Sequence, residues 1–213
     1  KPLTAYSWDN PLLSAAISPD GKYLAFCLKG KLSIQIIHSG EKRSVAIPEW
    51  FRPEGVSWFP DGTKLLVGRT EEQWIEVKGE RTRLWEPSLW SVSILGSTPQ
   101  KIVDHAFLPS VSPDGSLVAF SHFDPERQTF GIWLVGANGE GPHRILAASE
   151  PQGYFVPVWS TNGQRLFYIR NDDKGKRLVL ESCDIRGEKV TTIFSAKQDQ
   201  ALWSPCWAPD GRI

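Results

Sequence analysis

Ser57-Trp58-Phe59-Pro60-Asp61-Gly62 brings a strand-like run to an Asp-Gly turn, and Leu65-Leu66-Val67 restarts it. The same break recurs at Ala16-Ile17-Ser18-Pro19-Asp20-Gly21, Ser110-Val111-Ser112-Pro113-Asp114-Gly115, Val158-Trp159-Ser160-Thr161-Asn162-Gly163 and Cys206-Trp207-Ala208-Pro209-Asp210-Gly211. The turn glycines stand 41, 53, 48 and 48 residues apart. A period in the forties with strand and turn content predicts propeller blades. Asp or Asn before Gly supplies hairpin chemistry, and Pro two residues before Gly presets φ. Only the fourth turn departs, with Thr161 and Asn162, and both still suit a turn.

Working outward, the residue four before each turn glycine is Ile17, Trp58, Val111, Trp159 or Trp207, which predicts a buried position on the first, innermost strand. Beyond the glycine, Leu24, Leu65, Val118 and Leu166 share one face with Phe26, Val67, Phe120 and Tyr168 by the two-residue strand period. Ala25, Leu66, Ala119 and Phe167 make the opposite face apolar too. A strand apolar on both faces must be covered on both sides, as stacked blades provide. A third strand ends at a second turn near Gly40, Gly96, Gly139 and Gly187. Six residues before these glycines come Ile34, Trp90, Trp133 and then Glu181, which breaks the apolar pattern. Fourth strands are expected over 43–47, 100–103, 143–146 and 190–194. The expected fold is all-β, a single partial propeller over 1–213 with four-stranded antiparallel blades at 12–47, 48–104, 105–147 and 148–196 and a truncated one at 197–213. Six or seven blades would complete the ring, so the expectation is an open arc whose exposed ends favour association.

Lys plus Arg equals Asp plus Glu at 24 each. This balance argues against nucleic-acid contact, which needs clustered excess cations. No apolar run approaches the ~20 residues that span a bilayer, so no membrane insertion is expected. The chain opens on Lys1 and reads as a piece of a longer protein. Cys27, Cys183 and Cys206 form no CxxC pair and read as free thiols packed in strands.

Trp58-Phe59-Pro60-Asp61-Gly62 with Leu65-Leu66-Val67, and Ser112-Pro113-Asp114-Gly115 with Val118-Ala119-Phe120 and Ile132-Trp133, resemble the TolB-like (WD40-like) propeller repeat. The resemblance covers 12–211 and is greatest to the propeller regions of bacterial signalling proteins. In those, the propeller follows a serine/threonine kinase or a winged-helix domain, usually across a membrane segment. The resemblance implies a sensor module on the extracytoplasmic (periplasmic) side. No kinase or regulator domain stands in this sequence, so no such activity is carried over.

The sequence holds no GxSxG elbow, no HExxH and no GxxxxGK[ST]. Gly136 to Gly141 is glycine-rich but reads as a turn between the third and fourth strands. His38, His105, His122 and His143 are scattered over the repeats and read as surface or turn residues. Asp20, Asp61, Asp114 and Asp210, beside Gly21, Gly62, Gly115 and Gly211, read as turn hydrogen-bonders, as does Asn162 beside Gly163. Asp172 to Lys176 reads as a charged hairpin tip. No catalytic residue, cofactor site or metal site is expected.

Glu71 to Pro87 lengthens the second repeat and reads as an extended hairpin, since Trp74-Ile75-Glu76-Val77 alternates before Lys78-Gly79-Glu80. A solvated loop without consequence is the plainer expectation. The functional one is a partner-binding protrusion built on Trp74, Trp85, Arg81 and Arg83. The leading expectation is accordingly a non-catalytic module that recognises a protein, peptide or small ligand at the propeller mouth or its loops. The alternatives are the gating propeller of a prolyl-oligopeptidase-like serine hydrolase and a polysaccharide lyase with metal-bound histidines.

Overall fold

The structure, a computed structural model, describes residues 14–77, 79–124, 129–147, 153–172 and 177–196. The fifth repeat, with Cys206, Trp207, Asp210 and Gly211, lies outside them, as do Asp173 to Lys176. The chain divides into two compact units at His105 and Ala106.

In the first unit β1 (Ser14–Ile17), β2 (Tyr23–Leu28), β3 (Lys31–Ile36) and β4 (Lys42–Ser44) form one antiparallel sheet in chain order. A second sheet follows with β5 (Gly55–Trp58), β6 (Lys64–Val77), β7 (Glu80–Ser93) and β8 (Gln100–Asp104). The other unit repeats the plan with β9 (Ala106–Val111), β10 (Leu117–Asp124), β11 (Thr129–Gly136) and β12 (His143–Leu146). Its second sheet is β13 (Gly153–Trp159), β14 (Arg165–Asp172), β15 (Arg177–Asp184) and β16 (Thr191–Ser195). Each sheet is a four-stranded meander, the blade that the repeat predicts.

The turns explain why the strands break where they do. The N–H groups of Gly21, Gly62, Gly115 and Gly163 donate to the carbonyls of Ser18, Phe59, Ser112 and Ser160 at 2.9–3.0 Å. Side chains then close each loop from inside. Asp20, Asp61, Asp114 and Asn162 accept, through Oδ1, the N–H of Lys22, Thr63, Ser116 and Gln164 at 3.0–3.1 Å. Where Ser precedes the turn, its hydroxyl donates to the same Asx oxygen and accepts the N–H of Tyr23, Leu117 or Arg165. Thr161 and Asn162 therefore build the same turn as Pro and Asp.

Packing follows the two-sided apolar pattern. In the first unit Ala25 and Cys27 of one blade meet Leu65, Val67 and Trp58 of the next. In the second unit Ala119 and Ile132 meet Leu166, Tyr168 and Trp159. Leu65 is 0% exposed and Phe120 1%. A small side chain on one sheet facing a large one on the next lets the sheets approach, and each large residue buried contributes ~1.5–3 kcal/mol.

Several expectations need correction. Ile17 is 55% exposed rather than buried. It stands on β1, the edge strand that opens the first sheet, and points to the face turned from the second blade, unlike Ala16, which packs against the core between the two. β4 stops at Ser44 instead of reaching Ile47; the Val45 N–H makes one more bond, to the Leu32 carbonyl at 2.9 Å, before the chain leaves the sheet. β16 starts at Thr191 instead of Val190, after Lys189 takes a positive φ of 51°. His122 lies in no turn: it stands half-buried on β10, with its ring 4.8 Å from that of Trp133.

Candidate partner-binding site

β6 and β7 each run 14 residues without a break. Their ladder extends from Lys64↔Ser93 to Val77↔Glu80. β5 pairs β6 only as far as Gly68, and β8 pairs β7 only at Ser88–Ser91. From Thr70↔Pro87 outward the two strands therefore continue as a free ribbon of about 25 Å, at ~3.3 Å per residue. Gly79 closes it with a φ of +82°.

Register decides which side chains the ribbon presents together. Glu72 pairs Trp85, Trp74 pairs Arg83 and Glu76 pairs Arg81, and directly opposed residues share a face. All four residues singled out for partner binding, Trp74, Trp85, Arg81 and Arg83, thus fall on one face of one ribbon. That face is opposite to the one on which Leu65 and Val67 enter the core. Trp74 is 57% exposed and Trp85 54%. The guanidinium carbons of Arg83 and Arg81 lie 4.9 and 5.4 Å from the Trp74 ring centroid, within cation–π range. Arg83 also donates to Glu72 at 3.3 Å. These contacts hold long side chains against the strand, so less rotamer freedom remains to be lost on binding.

At the root of the ribbon a second aromatic cluster escaped the sequence reading. Trp50, half exposed, meets Phe51 and Trp90 edge to face at 5.7 and 5.8 Å, and Arg69 lies over its ring at 5.4 Å. Arg69 is also ion-paired with Glu71. Trp50 sits on the connector between blades, and Pro48, Trp50 and Pro53 carried the only hint of it.

The other titratable groups serve the scaffold. Asp20 and Asp114 are held below the usual carboxylate range first by the hydroxyls of Ser18 and Ser112, and Asp61 by the Thr63 N–H. Burial pushes the thiols of Cys27 and Cys183 up to about 12, so both stay protonated and are poor nucleophiles. Glu181 is buried, and Arg170 answers it with Nε and Nη2, each 3.0 Å from Oε1. Among the described residues no three His, Cys, Asp or Glu side chains converge as metal ligands. No helix among them is long and apolar enough to cross a membrane.

No protein-family model and no curated protein sequence matches the chain. Among solved structures it is similar to the oligogalacturonate lyase of Vibrio parahaemolyticus, with 16% identity over 98% of this chain and 58% of that one and a TM-score of 0.67. It is similar to a chain of a nidogen/laminin complex, with 11% identity, 87% and 80% coverage and a TM-score of 0.53. TolB from Acinetobacter baumannii aligns at 17% identity over 85% of this chain and 54% of that one, with a TM-score of 0.42. These neighbours are TolB-like β-propeller proteins. With the repeated meanders and the turn chemistry, the first two likenesses establish the fold class: this is a β-propeller chain whose described part holds four blades. Likeness at such identities speaks of fold alone.

Proposed function

We propose that this chain is a non-catalytic propeller module that recognises a protein or peptide segment through the Trp74/Trp85 face of the β6–β7 ribbon. One observation carries the reading: two tryptophans, each more than half exposed, share a face with two arginines already stacked in place. Trp and Arg are the residues on which binding energy concentrates, and a rigid blade presents them without loop ordering. Between them the ribbon offers apolar area and donors for a partner's carbonyls and carboxylates. The resemblance of the repeats to bacterial signalling propellers supports a sensor role, on the extracytoplasmic side, within a larger protein.

Peptides selected by display on the whole 213-residue chain, and counter-tested on Trp74→Ala and Trp85→Ala, test this. Each substitution is expected to weaken the selected peptides about 30-fold, which is what losing ~2 kcal/mol of a hot spot does. Peptides that bind both variants as well as the parent, or no enrichment at all, would remove the ribbon from the reading.

The likeness to an oligogalacturonate lyase favours a second reading, in which the chain binds and cleaves an acidic polysaccharide. Oligogalacturonate mixed with the chain and a divalent cation would then yield unsaturated uronides. A gating propeller of a serine hydrolase remains the third, and a downstream GxSxG segment in the reading frame would support it.

A further inference from the structure

The first unit carries a pocket of about 410 Å³ between the Lys29-Gly30 turn, the end of β4 and the segment leading to β5. It shares no residue with the ribbon, so the two readings stand or fall separately. The volume lies in the ~300–1,000 Å³ range of small-molecule sites. Leu32, Val45 and Phe51, all buried, form an apolar floor. Around the mouth stand the cations Lys29, Lys31 and Arg52, against one carboxylate, Glu49. The excess of positive charge over an apolar floor is selective: it attracts an anion, and rewards one that also has an apolar body.

The backbone of the turn adds an independent observation. Lys29 and Gly30 have φ of 51° and 68°, the positive pair that a two-residue hairpin turn demands. Asn, Asp or Gly takes the first of these positions readily, whereas Lys is held there under strain. Lys189 shares the φ of 51°, so what marks Lys29 is its place at the lip of the cleft, among the cations that line it. The Arg52 stem lies along the same turn, since a Cβ on Gly30 would come 3.7 Å from Arg52 Cγ.

The geometry points to a binding site for a small organic acid: a carboxylate met by Lys29, Lys31 and Arg52, carried on a compact apolar body that covers Leu32, Val45 and Phe51. Calorimetric titration of the whole chain with 3-phenylpropionate, and with its amide and its amine analogue, tests the assignment. The acid is expected to bind, the amide about tenfold more weakly, and the amine more weakly still. Lys31→Glu with Arg52→Glu should weaken the acid by about tenfold or more, and Glu49→Gln should tighten it. Lys29→Asn separates binding from folding. It keeps the turn and relieves its strain, so the variant should unfold at higher denaturant yet bind the acid about threefold more weakly, the size of an exposed charge contact. Equal affinity for acid and amide, unchanged binding by Lys29→Asn, or no binding of the acid up to about 10 mM by folded protein would each overturn it.

Discussion

The indole Nε1 of Trp58 donates a hydrogen bond of 2.9 Å to the carbonyl oxygen of Ala16. Trp58 belongs to β5 and Ala16 to β1, so the bond ties one blade to the blade before it. The second unit repeats the tie, with Trp159 Nε1 donating to the Ser110 carbonyl at 3.0 Å. In both, the tryptophan stands four residues before its own turn glycine and the acceptor five before the turn glycine of the preceding blade. β1 and β9 have a ladder partner on one side only, which leaves carbonyls on the other side to satisfy. The buried indole does so while its ring fills the seam. Ser14 adds a second tie in the first unit, its hydroxyl accepting the Val56 N–H at 3.1 Å.

Trp159→Phe keeps an aromatic ring but removes the donor. The Ser110 carbonyl loses its partner and the seam loses volume, so the loss of stability should be about 2–3 kcal/mol. Urea unfolding measures it. A loss below ~0.5 kcal/mol, within the range of neutral surface changes, would show that the tie contributes nothing.

Glu181 stands where two other blades carry Trp90 and Trp133, and all three lie at the register shift between the third and fourth strands. Its carboxylate is tolerated because Arg170, on the neighbouring strand, meets it with two donors. Removing either side breaks the buried charge pair, so Arg170→Ala or Glu181→Ala should cost about 3–5 kcal/mol. Replacing both, Arg170→Met with Glu181→Leu, should cost far less than the two single changes together. Additive losses in this double-mutant cycle would show that the pair is not coupled.

What could be read in advance was what local chemistry decides. Asp114-Gly115 fixes its turn within six residues, and the alternation around Trp74 announces the ribbon. Long-range pairing was hidden. Nothing near Glu181 names Arg170 as its partner, because that depends on strand register. Ile17 matches Trp58 by offset, but its exposure depends on which sheet lies over it. The basic pocket joins Lys29 and Lys31 to Arg52 from a later segment. Leu108 and Val156 show a further gap: each precedes a proline, and each takes a positive φ at an inner-strand bulge. Proline signals a break there but not its form.

The turn carboxylates predict the acid limb of stability. Asp20, Asp61, Asp114 and Asp184 are all lowered by hydrogen bonds made only in the folded chain. A carboxyl depressed by folding stabilises the native state above its unfolded pKa, and that contribution is lost as pH falls through the folded value. Stability should therefore be level above about pH 5 and decline below about pH 4, where unfolded carboxyls take up protons. Asp114→Asn keeps an Asx acceptor, as Asn162 shows, but cannot titrate. Its urea midpoint should lie somewhat below the parent's near pH 7, where the ionised Asp114 contributes, and converge on it in acid. An identical pH profile would dissociate Asp114 from the acid limb.

Gly187 tests how closely the blades approach. Its φ is +78°, and a Cβ there would overlap the carbonyl oxygen of Ile145, on the preceding blade of the same unit. Gly96 approaches Ala46 in the corresponding way in the first unit, a Cβ falling 2.9 Å from the Ala46 oxygen. Gly21 is the control, with a φ of +72° and nothing within 4 Å of the added carbon. Gly21→Ala should cost only the left-handed backbone penalty, about 1–2 kcal/mol. Gly187→Ala adds displacement of backbone across the seam, and should cost about 2 kcal/mol or more beyond the control. Equal losses in urea unfolding would mean that the sheets can part at this point without penalty.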